Sequence, residues 1–339
     1  MTNKSTGIIV LTYNSEADIR NCISSILAQD TEISLIVIDN ASQDNTLKIV
    51  KEFPDVELIE SKQNLGFSWG VNTVAKIFYE RGYENAVCIN PDTTIDSSCI
   101  SELLKTKEKS KAGIVQASVY LPDRTHVNSL GNAVHFTGIS YCPEYGSTFR
   151  CSSDINIAAA SGACMLMDLH CWNKLGGLKE DYFMYMEDTD LSWRMKLIDK
   201  PVMLSAKAYC YHDYSLSLPS WKLGYLDRNR IQMILANYSL RTLLLLLPVL
   251  IVCEIALLLW SIKKRYFLQK IHGYLHIVKR LPAIFRERSK IKDIRLLSDK
   301  DIFRMMEVEL HVPGLKIPFQ SLVNWLLRNY GRIISPFLK

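Results

Sequence analysis

Short apolar segments rich in β-branched residues alternate with amphipathic segments along the first ninety residues of the chain. The apolar segments are residues 7–12, 35–39, 56–59 and 86–90. Between them, apolar side chains recur at the spacing of one helix face. Strands that are apolar throughout and alternate with helices are typical of a parallel sheet covered on both faces. The sequence therefore predicts a Rossmann-like α/β sandwich with a mainly parallel sheet.

Polar residues follow the ends of the predicted strands, where ligands bind in open sheets of this kind. They are Thr12-Tyr13-Asn14, Asp39 and Asn90-Pro91-Asp92. No G-x-G-x-x-G follows a strand and no G-x-x-x-x-G-K-[ST] occurs, which disfavours a dinucleotide dehydrogenase and a P-loop NTPase. A carboxylate such as Asp92 suits Mg²⁺ or Mn²⁺, which often bridge protein carboxylates to substrate phosphates. Taken alone, Asn90-Pro91-Asp92 is as compatible with a simple turn.

Residues 182–194 concentrate four aromatic side chains, three carboxylates and an arginine. From Asp188 onward, Leu191, Met195 and Ile198 follow helical spacing, so a Glu187-Asp188 pair is expected at a helix start. Carboxylates are favoured there by the helix dipole and the free N–H groups. The pattern alone therefore fits either a capped amphipathic helix or a positioned general base.

Seven motifs occur in a fixed order between about residue 6 and residue 230. They are Val10-Leu11-Thr12-Tyr13-Asn14, Ile38-Asp39-Asn40-Ala41-Ser42-Gln43-Asp44, Asn64-Leu65-Gly66-Phe67, Asn90-Pro91-Asp92-Thr93, Ser161-Gly162-Ala163, Gly176-Gly177-Leu178 and Glu187-Asp188-Thr189-Asp190-Leu191. In this order they resemble the family 2 inverting glycosyltransferases of GT-A fold, and most of all their rhamnosyltransferase branch. The joint order of the motifs is more specific than any one of them.

The resemblance implies a role for each matching position on the donor side. Donor-binding residues are expected at Thr12, Tyr13, Asn14, Asp39, Asn64, Gly66 and Asn90. Asp92 matches the metal-binding second aspartate of the family's Asp-x-Asp motif, whose first position is Asn90 here. This substitution argues against direct metal ligation by residue 90. His212 matches a histidine that contacts the metal or the leaving diphosphate, although a purely structural role is an equal alternative.

On the acceptor side, the resemblance assigns the catalytic base to Asp188. Inverting transfer needs a carboxylate that takes the acceptor hydroxyl proton on one face of the sugar, while charge on the departing diphosphate is neutralised on the other. Glu187 is the competing candidate for the base. The resemblance favours Asp188 as the base, so Glu187 and Asp190 are expected to orient the acceptor or Arg194. Glu187, Asp190 and Arg194 are therefore assigned to the acceptor site or its support.

The C-terminal third begins with an apolar run, residues 243–262, whose only charged residue is Glu254. Its length permits a membrane span. Basic residues flank it on both sides, however, and the following segment 263–304 has a net charge of +9. Since basic flanks mark the cytoplasmic side, a single crossing is disfavoured and a monotopic or re-entrant hairpin on anionic lipid is favoured. A true span, a buried helix pair and an oligomer contact are the alternatives.

The sequence thus predicts a glycosyltransferase domain over residues 1–230 and a helical, membrane-associating region over 231–339. The expected activity is metal-dependent inverting transfer of rhamnose or another deoxyhexose from a dTDP or UDP donor to a lipid-linked glycan, in cell-surface polysaccharide synthesis. Transfer of another hexose from a UDP-sugar is one alternative, and a catalytically silent nucleotide-sugar-binding subunit is another. Nine cysteines without metal-binding spacing fit reduced thiols, and the cytoplasmic face of the membrane is the expected location. Nucleic acid is not an expected partner, whereas a homo-oligomer is compatible with the sequence.

Overall fold

A computed structural model describes residues 6–213, 219–315 and 318–338 of the 339-residue chain. Its strands are β1 Thr6–Thr12, β2 Ile33–Asp39, β3 Glu57–Glu60, β4 Asn85–Ile89, β5 Thr93–Ile95, β6 Ile114–Tyr120, β7 Val127–Ser129, β8 Ala133–Val134, β9 Ser140–Tyr141, β10 Ile155–Asn156, β11 Cys164–Asp168 and β12 Val202–His212. Its α-helices are α1 Ile19–Leu27, α2 Thr46–Val50, α3 Phe67–Glu80, α4 Cys99–Ser110, α5 Leu169–Leu175, α6 Glu187–Leu197, α7 Ser220–Asn237, α8 Leu240–Lys263, α9 Phe267–Ile294, α10 Asp299–Phe303 and α11 Gln320–Ile334. Two 3₁₀ helices cover Glu180–Tyr182 and Ser335–Phe337.

The central sheet has the strand order β10-β12-β6-β11-β4-β1-β2-β3, with β5 added to β12 and β7 to β6. β1 pairs in parallel with β2 and β4, β2 with β3, and β6 with β12. β11 is antiparallel to both β4 and β6, so those two strands run in the same direction. The carboxyl ends of β1, β2, β4, β6 and β12 therefore lie along one edge. The predicted α/β sandwich with a mainly parallel sheet is confirmed.

Helices cover both faces of the sheet because the strands are apolar on both faces. On one face, α1 and α4 bury residues such as Ile23 and Leu103 against the strands. On the other, α3, α5 and α6 contribute Val74, Trp172 and Leu191 to a second core. Burying the side chain of a large apolar residue stabilises the fold by about 1.5–3 kcal/mol. The two cores therefore hold the sheet in place, and with it the edge on which the polar strand ends lie.

The apolar run over residues 157–167 has the composition of a strand but is only partly a strand. Its regular pairing begins at Cys164. Before it, Ile157 donates to the carbonyl of Val202 and Ala159 exchanges hydrogen bonds with Asn132, as an irregular segment. The run is apolar because it is buried, and burial does not distinguish a strand from a packed loop.

The C-terminal helices are attached to the α/β domain by a buried network of charges. Arg230 of α7 pairs with Asp227 at 2.9 Å and with Glu254 of α8. Lys270 of α9 pairs with Asp227 and with Glu254, the latter at 3.1 Å, and Tyr274 donates to Glu254 at 2.7 Å. The single charge of the apolar helix is therefore used inside the protein. Residue 230 lies within α7, so the predicted domain boundary coincides with no break in secondary structure.

Helix α8 presents a long apolar strip away from this network. Leu244, Leu247, Ile251, Ile255 and Leu259 are each 48–63% exposed and recur at intervals of three or four residues. Among the described residues, α8 is the one helix that is long and apolar enough to cross a membrane. Of its most apolar stretch of 18 residues, 17% is buried. An interior helix pair therefore does not account for most of its surface.

Candidate active site

The predicted donor loops lie side by side at the carboxyl ends of β1 and β2. Asn14 accepts a hydrogen bond from the Gln43 N–H at 2.7 Å and its own N–H donates to Ser42 Oγ at 2.9 Å. Thr12 is buried and its carbonyl accepts from the Asn40 N–H, whereas Tyr13 is 46% exposed. These contacts hold Asn14 in place and leave the Tyr13 side chain exposed at the sheet edge.

Asp39 is brought to the same loops but is fully buried. Both of its carboxylate oxygens are occupied, one by the Ser42 N–H at 2.9 Å and the other by the Ser42 hydroxyl at 2.5 Å. In this arrangement the carboxylate shapes the loop after β2. A direct contact with a nucleoside would use a remaining lone pair of this carboxylate and would need the loop to open, since Asp39 is fully buried.

Asn40, which the sequence analysis passed over, links the second and third predicted donor segments. Its side-chain amide donates to Asn64 Oδ1 at 2.9 Å and to the Gly66 carbonyl, and its oxygen accepts from the Leu65 N–H. Asn64 also accepts from the Gly66 N–H at 3.0 Å. A polar residue at a strand end, next to Asp39, was the available signal. The amide pair fixes the backbone that enters α3.

Asn90, Asp92 and His212 meet where β4 ends beside β12. His212 Nε2 lies 3.1 Å from Asp92 Oδ1 and 3.5 Å from the Asn90 side-chain nitrogen. The backbone holds the group in place, since Asn90 N–H donates to the Ala163 carbonyl and Asp213 N–H to the Asp92 carbonyl. The structure thus brings together Asp92 and His212, the two residues that the resemblance assigns to the metal and the leaving diphosphate. Asp92 is about one-third exposed and His212 is nearly buried.

Two further carboxylates contribute negative charge here, and the sequence analysis did not include them. Burial raises the pKa of Asp18, and the charges of Asp92 and Asp213 raise it further. A site with this excess of negative charge favours a cation. Within the described residues, no three His, Cys, Asp or Glu side chains are close enough to bind a metal by themselves. Asp92 and His212 thus fit a divalent ion only if substrate phosphates and water complete its coordination.

Asp188 lies at the start of α6, as the sequence predicts, but its carboxylate does not act as a simple helix cap. One oxygen accepts from the Gly162 N–H at 3.0 Å, and the other accepts from the N–H and the hydroxyl of Thr189. Gly162 is the residue before Ala163, whose carbonyl holds Asn90. Burial raises the pKa of Asp188, while the hydrogen bonds from Gly162 and Thr189 oppose that rise.

Glu187 is in a different environment from its neighbour. It is 6% exposed, and its Oε2 has no hydrogen-bond partner among the described residues. Burial and then the charge of Asp188 raise the pKa of Glu187 well above the usual range. A proton shared by this pair therefore favours Glu187, and the ionised carboxylate is that of Asp188.

Asp190 and Arg194 form a fully buried ion pair on α6, at 2.7 Å. Arg194 also donates to the carbonyls of Leu175 and Gly177, and Asn237 donates to Asp190. Both side chains are fully buried, so their contacts are with the protein interior. Their hydrogen bonds fix α6, and with it Asp188, against the turn after α5.

The segment before Asp188 has a strained backbone. Phe183, Tyr185 and Met186 have φ of 64°, 68° and 70°, in the left-handed region that side chains with a Cβ rarely adopt. The buried amide of Asn229, on α7, donates to the carbonyls of Tyr182, Met184 and Tyr185 at 2.8–3.0 Å. This contact holds the strained backbone in place. No local sequence signal pointed to Asn229.

Comparison with known proteins was made for the sequence and for the fold. Residues 7–169 match the model of the family described as Glycosyl transferase family 2. Over 212 residues the chain is 26% identical to the N-acetylglucosaminyl-diphospho-decaprenol L-rhamnosyltransferase of Mycobacterium tuberculosis (strain CDC 1551 / Oshkosh). That alignment covers 56% of this chain and 69% of the relative.

Two solved structures share the fold. GalNAc-T7 with UDP, GalNAc and Mn²⁺ aligns with a TM-score of 0.54 at 10% identity, over 68% of this chain and 48% of that one. S. aureus TarS 1–349 aligns with a TM-score of 0.51 at 14% identity, over 98% of this chain and 90% of that one. The second alignment includes nearly the whole chain, C-terminal helices among it. At these identities the likeness concerns the fold alone.

Proposed function

Residues 7–169 of this chain belong to glycosyl transferase family 2, and from this premise we propose that the chain transfers a sugar from a nucleoside diphosphate to an acceptor hydroxyl with inversion. The observation that carries the proposal is the environment of Asp188. Its carboxylate is held by Gly162 and Thr189 beside the segment that positions Asn90. Inverting displacement requires a base on one face of the sugar and neutralisation of the leaving diphosphate on the other, and we assign these two roles to Asp188 and to the Asp92–His212 pair.

In the proposed mechanism, Asp188 takes the proton of the acceptor hydroxyl as its oxygen attacks the anomeric carbon. The bond from that carbon to the diphosphate oxygen breaks, and the nucleoside diphosphate leaves from the opposite face. Glu187 stays protonated beside Asp188. Because it is then uncharged, it adds little negative potential at the incoming hydroxyl. Asp190 and Arg194 position α6, and Asn229 positions the segment before it.

The residues fit a divalent cation as cofactor. Asp92 and His212 would hold it, and the ion, Mg²⁺ or Mn²⁺, would neutralise charge on the leaving diphosphate when bound. Support comes from the surplus of carboxylates at this place, Asp18, Asp92 and Asp213, since bringing a diphosphate to them without a cation would be repulsive. The donor side is then assigned to Thr12, Tyr13, Asn14, Asp39, Asn64, Gly66 and Asn90.

For the substrates, we propose a deoxyhexose such as rhamnose from a dTDP or UDP donor, and a lipid-linked glycan as acceptor in cell-surface polysaccharide synthesis. The support is the M. tuberculosis relative, whose name states both a rhamnosyl group and a diphospho-decaprenol carrier. Transfer of another hexose from a UDP-sugar is the second candidate, which the UDP and GalNAc of the GalNAc-T7 structure make worth testing. A silent nucleotide-sugar-binding subunit is the third.

We also propose that the region after α7 attaches the enzyme to the cytoplasmic face of the membrane without crossing it. The apolar strip of α8 is one support. The +9 charge of residues 263–304 is another, because anionic headgroups attract basic residues next to an apolar surface. The Glu254 network is the third, since a helix tied to α7 and α9 through its middle cannot leave the protein surface without exposing paired charges.

The activity is tested with purified full-length protein, Mn²⁺ or Mg²⁺ and a panel of dTDP- and UDP-sugars, with a short-chain lipid diphosphate-linked N-acetylglucosamine as acceptor. Product analysis by NMR gives the anomeric configuration. The proposal expects one donor to be used, an inverted product, and turnover about 10²–10⁴-fold lower for Asp188→Asn. A retained anomeric configuration contradicts the mechanism, and donor binding without hydrolysis or transfer for the whole panel favours the silent subunit.

Membrane attachment is tested by fractionating cells that express an Ile251→Glu/Ile255→Glu double variant. Because each buried isoleucine contributes about 1.5–3 kcal/mol, the two changes should lower membrane partitioning at least roughly 10²-fold. The control, Asn21→Glu/Ser24→Glu, adds the same charge to exposed positions of α1. If both double variants sediment with membranes as the wild type does, α8 contacts protein instead. Labelling of the C-terminus from outside intact cells would show a true span.

A further inference from the structure

Two arginines stack on tyrosine rings at the edge of the sheet, outside the residues assigned so far. The Arg124 guanidinium lies 4.4 Å from the centre of the Tyr211 ring, and that of Arg150 lies 4.2 Å from the centre of the Tyr120 ring. Tyr120 and Tyr211 are direct partners in the parallel pairing of β6 with β12. The two guanidinium groups are thus held over neighbouring rings at the strand ends.

The backbone fixes both arginines in this arrangement. Arg124 has φ of 60° and closes a turn in which its N–H donates to the Leu121 carbonyl at 2.9 Å. Arg150 comes from the far end of the segment that follows β6, and its guanidinium donates to the Arg124 carbonyl at 2.5 Å. A left-handed conformation at a residue with a Cβ costs about 1–2 kcal/mol. Arg124 adopts this conformation, and its side chain reaches Tyr211 on β12.

The positive charges are not neutralised within the described part of the chain. Neither guanidinium forms an ion pair at 4.0 Å or less with a carboxylate of the described residues, and the carboxylates of Asp123 and Asp96 accept hydrogen bonds from other groups. Asp123 accepts from the N–H groups of Thr125 and His126, and Asp96 accepts from the Tyr211 hydroxyl at 3.1 Å. Burial and the Asp96 carboxylate raise the pKa of the Tyr211 hydroxyl to about 12, although the charges of the two arginines act to lower it. Two like charges so placed repel each other, and a bound anion would relieve this.

The position of the pair indicates which anion it would take. Tyr211 immediately precedes His212 in β12, so the arginines lie at the same end of this strand as the Asp92–His212 pair, with the Tyr211 and His212 side chains on opposite faces of the sheet. Arg124 lies near the start of the segment 121–150 and Arg150 at its end, and both side chains are exposed. Guanidinium groups present N–H pairs that match phosphate oxygens, and an aromatic ring behind each one restricts its motion.

We propose that Arg124 and Arg150 form a binding site for a diphosphate group. The identity of the diphosphate rests on the proposed function, under which it belongs either to the lipid-linked acceptor or to the nucleotide-sugar donor. The shared chemistry is two adjacent phosphates, each taken by one guanidinium. The site lies at the carboxyl ends of β6 and β12, the sheet edge that also carries the Asp92–His212 pair, and a diphosphate of either substrate is the proposed ligand.

The site itself is tested without turnover, by calorimetric titration of full-length protein in EDTA with inorganic pyrophosphate. Arg124→Gln and Arg150→Gln should each weaken binding about tenfold, and the double variant about 10²-fold, as expected for loss of hydrogen bonds to a charged group. The control is Arg81→Gln, an exposed arginine that pairs with Glu57 at the other edge of the sheet. Thermal midpoints confirm that the variants are folded. Wild-type binding strength in the double variant, or no binding by the wild type, overturns the proposal.

The source of the diphosphate is tested with steady-state kinetics on the same variants. The acceptors are a short-chain diphosphate-linked N-acetylglucosamine and the matched alkyl glycoside, which lacks phosphate. An acceptor site raises the KM of the diphosphate acceptor about tenfold, leaving the KM of the alkyl glycoside and of the donor unchanged. A donor site raises the donor KM with both acceptors. Unchanged KM values throughout overturn the proposal, whereas absence of any transfer by the wild type contradicts the proposed function and leaves the pyrophosphate result valid.

Discussion

The backbone N–H of Phe67 donates a hydrogen bond to the carbonyl of Phe183 at 2.6 Å. Phe67 begins the helix after the predicted donor segment, and Phe183 belongs to the strained segment before Asp188. The two halves of the candidate site therefore share a direct contact. Gly66 makes it possible, because a Cβ on that residue would lie 2.5 Å from the same carbonyl. A change in one segment must then displace the other.

Gly66→Ala should reduce both activity and stability. The added Cβ collides with the Phe183 backbone, and the φ of 90° is strained for alanine, so we expect at least a tenfold loss of kcat/KM and a lower thermal midpoint. Gly146→Ala is the matched control, since its φ is 77° but no atom lies within 4 Å of the added Cβ. It should lose about 1 kcal/mol of stability from strain alone and keep its activity. Equal activity in the two variants would show that the contact is dispensable.

Asp188→Asn should lower turnover by about 10²–10⁴-fold, the range for loss of a general base. The asparagine keeps the size of the side chain and an acceptor for the Thr189 N–H, so donor affinity and folding should change little. Glu187→Gln should do less, because Glu187 is expected to be protonated already. Single-turnover rates with calorimetric donor affinities separate the two effects. A dead Glu187→Gln with an active Asp188→Asn would reverse the assignment.

Asp92→Ala should weaken the binding of a nucleoside diphosphate in the presence of Mn²⁺, and EDTA should abolish transfer. The reason is that the carboxylate expected to hold the cation is lost, and the phosphates meet Asp18 and Asp213 without it. Calorimetry with UDP and dTDP, with and without Mn²⁺, measures the effect. Asp55→Ala, at an exposed loop position, is the control. Full activity in EDTA would exclude a metal role.

His135 should make the protein sensitive to acid. It is fully buried, and burial lowers its pKa from 6.5 to about 3. The unfolded chain therefore binds a proton below pH 6.5 that the folded chain does not, so the stability is complete above 6.5 and falls as the pH decreases toward 3. Between pH 7 and 4.5 the wild type should lose about 1–3 kcal/mol more than His135→Gln.

Urea unfolding at the two pH values measures this difference. His126→Gln, at an exposed position, controls for the loss of a histidine. An equal loss in the wild type and in His135→Gln would mean that another group determines the acid sensitivity.

Much of the fold was predictable because its signal is local. Apolar strands and amphipathic helices in regular alternation specify a covered parallel sheet, and polar residues after Thr12, Asp39 and Ile89 mark its functional edge. The resemblance assigned Asp92 and His212 to the metal and diphosphate side of the site, and their direct contact appears only in the structure.

Other features depend on contacts between distant parts of the chain, and their residues show no local pattern. Asn229 and Asn40 act through backbone carbonyls and amides that only the folded chain brings to them. The irregular segment before Cys164 is apolar like a strand, so composition could not identify it. The burial of Asp39, with both oxygens held by Ser42, likewise appears only when the loop is closed.

Asn229 sets an order of events in the making of the site. The strained backbone of Phe183, Tyr185 and Met186 is held by an amide that lies more than forty residues later in the chain. During synthesis, which proceeds from the N-terminus, the sheet and the donor loops can assemble before α7 has left the ribosome. The segment that carries Asp188 cannot adopt its final shape until then. Under the roles proposed above, the sheet and the loops after β1 and β2 can form first, and the segment that carries the proposed base follows when the C-terminal helices arrive.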